Sequence, residues 1–188
     1  MKRTVPIQSL AILPIGKFDE SILPQLTQHL KKVFQVEVET LPYIPRPLDA
    51  YDQETLQYSA PRILERIETE RPEKSVALLG IFDQDLSLEG LHYTFGHGSP
   101  RLRCAVISLT RLKEIFWGEE ENRELFLNRV RTEATHEIGQ LLGLSYCNKN
   151  TCVMYFSNGI AETDRKIDEF CAECDQIRQA LLQPVPGR

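Results

Sequence analysis

His136 and Glu137 are adjacent, with Gln140 four residues after the histidine, Gly143 three beyond that and Tyr146 three further on. Side chains four apart on a helix share a face, so donors at positions 136 and 140 can reach one ion. A carboxylate beside the first donor is placed to take a proton from a metal-polarised water. A glycine at 143 lets the helix end in a left-handed turn and brings position 146 back as a third donor. Such spacing serves metal-assisted hydrolysis, in which three protein ligands leave a fourth position for water. The residue types at 140 and 146 depart from that chemistry. Gln140 has a neutral amide oxygen, whereas zinc favours nitrogen and sulfur. Tyr146 ligates only as a phenolate, and an ordinary phenol has a pKa of about 10. A plain core helix remains an alternative, because Phe126, Val130, Ala134, Ile138 and Leu142 also form an apolar stripe.

Four cysteines follow in two short-spaced pairs, Cys147 with Cys152 and Cys171 with Cys174. This is the spacing of a structural zinc site closed by thiolates. Asn148, Lys149 and Asn150 suit a tight turn between the first two. Cys171 and Cys174, at i and i+3, point the same way at the start of an expected helix. Lys149 and Lys166 are expected to offset part of the thiolate charge. Two disulfides are the competing arrangement. The segment after Lys2 and Arg3 is interrupted by Pro6, Gln8 and Pro14 and carries no export signal. The expected setting is therefore cytoplasmic, where thiols stay reduced and metal is favoured. Cys104 lies in an apolar run and reads as a small core residue.

Taken together, His136, Glu137, Gly143, Cys147, Cys152, Met154, Cys171 and Cys174 resemble the archaemetzincin pattern. That pattern joins H-E-x-x-H-x-x-G-x-x-H to C-x-x-x-x-C-x-M and, after a spacer, to C-x-x-C. Further similarity lies in the stretches from Ala11 to Gly16, from Gln57 to Ala60 and from Gly90 to Gly96. The resemblance implies a metzincin-like zinc metallopeptidase, with Glu137 as general base and Met154 as the Met-turn residue beneath the metal. Here Gln140 and Tyr146 stand where the family has histidine. The catalytic zinc position formed by His136, Gln140 and Tyr146 is thus degenerate, and the expected cofactor is one structural zinc.

The elements that must position these residues are legible as an alternation of strands and helices. Strands are expected at Leu10 to Ile15, Val36 to Leu41, Val76 to Phe82 and Cys104 to Leu109, with an edge strand at His92 to Phe95. Helices are expected at Phe18 to Phe34, Ala60 to Glu70 and Asn122 to Leu142. Pro42, Pro45 and Pro47 force an extended loop through Asp49. A last helix carries Phe170, Cys174, Ile177 and Leu181 on one face, and Pro184, Pro186 and Gly187 stop it. The expected fold is α/β, a helix-flanked, mostly parallel twisted sheet with an antiparallel edge strand and a small zinc-stapled C-terminal subdomain. At 188 residues the chain suits a single domain over 1–188. Its N-terminal part would run to residue 143 and its C-terminal part over 144–188.

Composition is that of a soluble protein, 41% hydrophobic and 26% charged. The net charge of −5 argues against a nucleic-acid or anionic-membrane surface. Asp164, Asp168, Glu169, Glu173 and Asp175, around the second cysteine pair, point the same way. Of the other histidines, His29 is expected to face solvent and His92 either side of its strand. His97 lies in an expected loop from which it could approach the cleft. Three functions follow: an archaemetzincin-like scaffold, inactive or very weak as a peptidase; an active peptidase with atypical ligands; and a zinc-stabilised module that binds without cutting. The partner in each is a peptide or protein in the cleft, aligned by the edge strand near Tyr93. No particular substrate or oligomeric state follows from the sequence.

Overall fold

The computed structural model describes residues 8–72 and 77–182. The expectations for Lys2, Arg3, Pro6, Val76, Pro184, Pro186 and Gly187 lie outside the described residues. In chain order the strands are β1 (Ser9–Ile15), β2 (Glu37–Thr40), β3 (Tyr51–Asp52), β4 (Gln57–Ser59), β5 (Ala77–Phe82), β6 (Leu86–Leu88), β7 (Leu91–Thr94), β8 (Gly96–Ser99) and β9 (Cys104–Ser108). The helices are α1 (Leu23–Phe34), α2 (Ala60–Glu68), α3 (Arg123–Leu142), α4 (Ile160–Thr163) and α5 (Ala172–Leu182).

Five strands form the main sheet in the order β2-β1-β5-β9-β8. All pairings are parallel except β8 with β9, which is antiparallel. The central strands are apolar on both faces because both faces are covered. Leu10 and Ile12 of β1 join the layer built with Leu26, Leu30, Val130 and Ile138 from α1 and α3. Ala11, Leu13 and Ile15 join the opposite layer with Ile63, Leu64 and Ile67 from α2. Gly80 in β5 is needed for this packing, since a Cβ there would sit 2.9 Å from Ile15 Cδ1.

The structure corrects several expectations. The antiparallel edge strand of the main sheet is β8, and it contains His97, which was expected in a loop. The strand near Tyr93, β7, instead ends a second sheet ordered β3-β4-β6-β7. Hydrogen bonding across β8 and β9 ties up a segment whose two glycines and histidine carry little strand preference. Tertiary pairing overrides composition here. The helix expected from Phe18 begins only at Leu23, after a 3-10 turn capped by Asp19, whose carboxylate accepts from Ser21 N. His29 does not face solvent. Its Nε2 lies 2.9 Å from Thr135 Oγ1 and its side chain is 9% exposed. On α5 the buried positions are Cys174 and Arg178, while Ile177 is 51% exposed.

Candidate active site and thiol cluster

Helix α3 carries the central residues. Asn122 starts it by accepting from Leu125 N, and Gly143 ends it at φ 103°. The terminal carbonyls are taken up by Gly143 N to Gln140 O (2.9 Å) and Leu144 N to Gly139 O (3.0 Å). Glycine is the residue that reaches this backbone region without strain, as the spacing anticipated. The stripe Val130, Ala134, Ile138 and Leu142 is buried against the sheet. The opposite side of the helix is covered too, so Glu133, His136 and Glu137 are buried at about 5% exposure. Met154 packs beneath the turn that carries them, and a Cβ at Gly139 would lie 2.5 Å from its Sδ.

A cleft of about 300 Å³ opens over this helix. One wall is Leu91 to His97, from β7 and β8; the other is Tyr146 and Phe156 to Asn158. Glu133, His136, Glu137, Gln140 and Lys166 also line it. Glu137 lies against β8, where a Cβ on Gly96 would fall 2.8 Å from its Oε1. Its Oε2 is buried with no hydrogen-bond partner among the described residues. Burial, with the negative charge of Glu133 as a second cause, pushes the Glu137 carboxyl up to about 8. Burial holds the His136 imidazole below its usual value, so the ring is neutral near pH 7.

Sequence reasoning missed Glu133 as part of this site, although it stands one turn before Glu137 on the same helical face. It assigned Lys166 to the thiols. In the structure Lys166 Nζ instead donates to Glu133 Oε1 at 3.1 Å, with Thr163 Oγ1 donating to the same oxygen at 3.0 Å. Burial alone would raise the Glu133 carboxyl, but the Lys166 charge, the nearby His136 and the hydrogen bonds from Lys166 and Thr163 together hold it low. Also missed was the support for the cleft wall. The Arg111 guanidinium sits 3.9 Å over the Tyr93 ring and donates twice to Asp85, each at 2.7 Å. His97 lines the cleft, and burial lowers its pKa.

His136, Gln140 and Tyr146 meet through a hydrogen bond and a ring contact. His136 Nδ1 lies 2.8 Å from Val153 O, which can only accept, so Nδ1 carries the proton. Nε2 is then the acceptor, and Gln140 Nε2 donates to it at 2.9 Å. The Tyr146 ring stacks on the imidazole at 5.8 Å between centroids and 22° between planes. Zinc would need the Nε2 lone pair that the amide already uses. An amide and a phenol are poorer zinc donors than imidazoles. Among the described residues, three histidine, cysteine or acidic donors do not converge in the cleft.

The four cysteines do converge. The sulfurs of Cys147, Cys152, Cys171 and Cys174 all lie within 4.8 Å of one another, with no disulfide. The expected turn between the first two is present, closed by Cys152 N to Lys149 O at 3.0 Å. Cys147 N donates to Met154 O at 2.9 Å, and this couples the thiol cluster to the floor of the cleft. Burial raises the Cys152 and Cys174 thiols. At Cys171 burial is opposed by the Cys174 backbone N–H and neighbouring thiols, which bring it to about 7. Four thiols this close cannot all ionise without a cation, and four soft sulfur donors suit zinc. Lys149 Nζ is engaged with Glu173 at 3.0 Å. The nearby acids are largely paired as well, among them Asp164 with Arg129 and Asp168 with Arg131, both at 2.6 Å.

Comparison with known proteins bears on this geometry. Residues 25–179 match the model of peptidase family M54. The archaemetzincin of Methanocaldococcus jannaschii is 34% identical over 170 residues, 90% of this chain and 92% of its own. That of Pyrococcus furiosus is 34% identical over 171 residues, 88% and 89% of the two chains. Among solved structures, the Archaeoglobus fulgidus archaemetzincin complexed with malonate aligns with a TM-score of 0.77 at 33% identity. It covers 89% of this chain and 98% of that one. The Methanopyrus kandleri archaemetzincin gives 0.81 at 30% identity, covering 97% and 99%. Among the described residues no helix is long and apolar enough to cross a membrane.

Proposed function

This chain belongs to peptidase family M54, the archaemetzincins, and from that membership we propose that it is a zinc-stabilised metallopeptidase scaffold with a degenerate catalytic metal position. Its cleft binds an extended peptide or protein segment and cuts it very slowly or not at all. Zinc is held by Cys147, Cys152, Cys171 and Cys174, and Met154 is the Met-turn residue. The observation that carries this reading is the Gln140 amide 2.9 Å from His136 Nε2, which engages the lone pair that His136 would offer a metal. Peptide binding is supported by two strands at the cleft. β7 ends its sheet and β8 ends the other, so each has an edge for an extended chain to pair with.

Metal analysis of the protein purified without added zinc should give one zinc per chain. A sensitive peptidase assay with zinc supplied should give no cleavage that distinguishes the parent from Glu137→Ala. Two zincs per chain, with cleavage abolished in Glu137→Ala, would favour the second reading. In that reading the protein is an active peptidase with an atypical ligand set, and His97, on the same cleft wall, is the added donor.

A further inference from the structure

The two residues that depart from the family pattern meet on one imidazole. Gln140 donates to its Nε2 at 2.9 Å, while Nδ1 donates to Val153 O at 2.8 Å. The Tyr146 ring lies nearly parallel to the imidazole at 5.8 Å between centroids, and on the same cleft wall it meets Phe156 edge-on at 5.1 Å. Every polar atom of the buried ring is therefore satisfied, as a buried imidazole requires. These contacts join three segments, of which an ion held at positions 136, 140 and 146 would tie the first two. They are the last turns of α3, the stretch after Gly143 and the Val153 to Phe156 segment.

We infer that Gln140 and Tyr146 form a metal-free clasp with His136, which orders the cleft without a divalent cation and makes it indifferent to one. This rests on the cleft lacking a catalytic metal, and it adds that the altered side chains replace the ordering contacts of the ion. Gln140 is a positioning residue in this account. Its amide donates to the Nε2 that Val153 O leaves unprotonated, and Tyr146 lies against the ring from the cleft wall. The two changes are then coupled, since each holds the same ring from a different direction.

The test is nitrogen NMR of the histidine rings in the zinc-loaded full chain, whose four histidines give few enough signals to resolve. In the parent, His136 should show a protonated Nδ1 and a bare, hydrogen-bonded Nε2. Excess zinc should leave both signals in place. Gln140→Ala should move Nε2 downfield as its donor is lost, and should lower the folding equilibrium constant about 5-fold, the effect of one neutral hydrogen bond. Tyr146→Ala should shift the His136 ring protons by removing the ring current. Gln140→Glu keeps the side-chain shape but exchanges the donor for an anionic ligand, so zinc should now move the His136 signals. A zinc response of His136 in the parent, or an unmoved Nε2 in Gln140→Ala, overturns the clasp. A second zinc in the purified parent overturns the underlying reading instead, so the two failures are told apart.

Discussion

Replacing Glu137 with Gln should flatten the pH dependence of stability in a way that can be calculated. In the folded protein burial, aided by the Glu133 charge, raises this carboxyl from its ordinary 4.5 to about 8. Between those values the folded state holds a proton that the unfolded state releases. Stability from this group is therefore full below pH 4.5 and is lost as the pH rises toward 8. From pH 5.5 to 7.5 the loss is about 2–3 kcal/mol, since one pKa unit corresponds to roughly 1.4 kcal/mol over nearly the whole interval. His29, His97 and His136 act in the opposite sense, because burial lowers their pKa values and stability from them rises with pH. They are present in both proteins and cancel from the difference. Glu137→Gln keeps a neutral side chain of the same shape, so it should remove the carboxyl contribution alone. The assay is urea unfolding of zinc-loaded parent and variant at pH 5.5 and 7.5, followed by circular dichroism. The parent should lose about 2–3 kcal/mol more than the variant over this range. Parallel pH profiles would refute the burial argument and mean that water or an ion reaches Glu137 Oε2.

Gln140→His combined with Tyr146→His should add one zinc per chain by calorimetric titration, since His136, Glu137, Gly143 and Met154 already surround the position; unchanged stoichiometry would mean that the pocket itself has diverged. Cys171→Ser should release metal and lower thermal stability, because metal binding is coupled to folding. A Cys147–Cys152 disulfide in freshly purified protein, seen by mass spectrometry, would sink the zinc assignment. Gly139→Ala should destabilise by about 1–3 kcal/mol, because the new methyl must displace Met154 Sδ from 2.5 Å. Urea unfolding measures this, and a neutral effect would show that Met154 can repack freely.

Much of this protein was legible in local pattern. The near-continuous apolar strands, the stripe from Val130 to Leu142, the glycine at 143 and the paired cysteines each follow from nearest-neighbour stereochemistry and spacing. They point to a helix-flanked parallel sheet, a helix ending at the site and a cluster of thiols. What tertiary structure decided depends on which distant segments meet. Gly96 to Ser99 is a strand because β9 offers it backbone partners, and composition alone favours a loop. Lys166 serves Glu133 and not the thiols because α4 and the segment after it bring it beneath α3. The hydrogen on His136 is assigned by Val153 O, a backbone atom 17 residues away that no side-chain motif encodes. Gln140 and Tyr146 read in sequence as two missing ligands. Only their meeting on one buried imidazole makes them a paired set of contacts, because the lone pair of a nitrogen can serve an amide proton or a metal but not both.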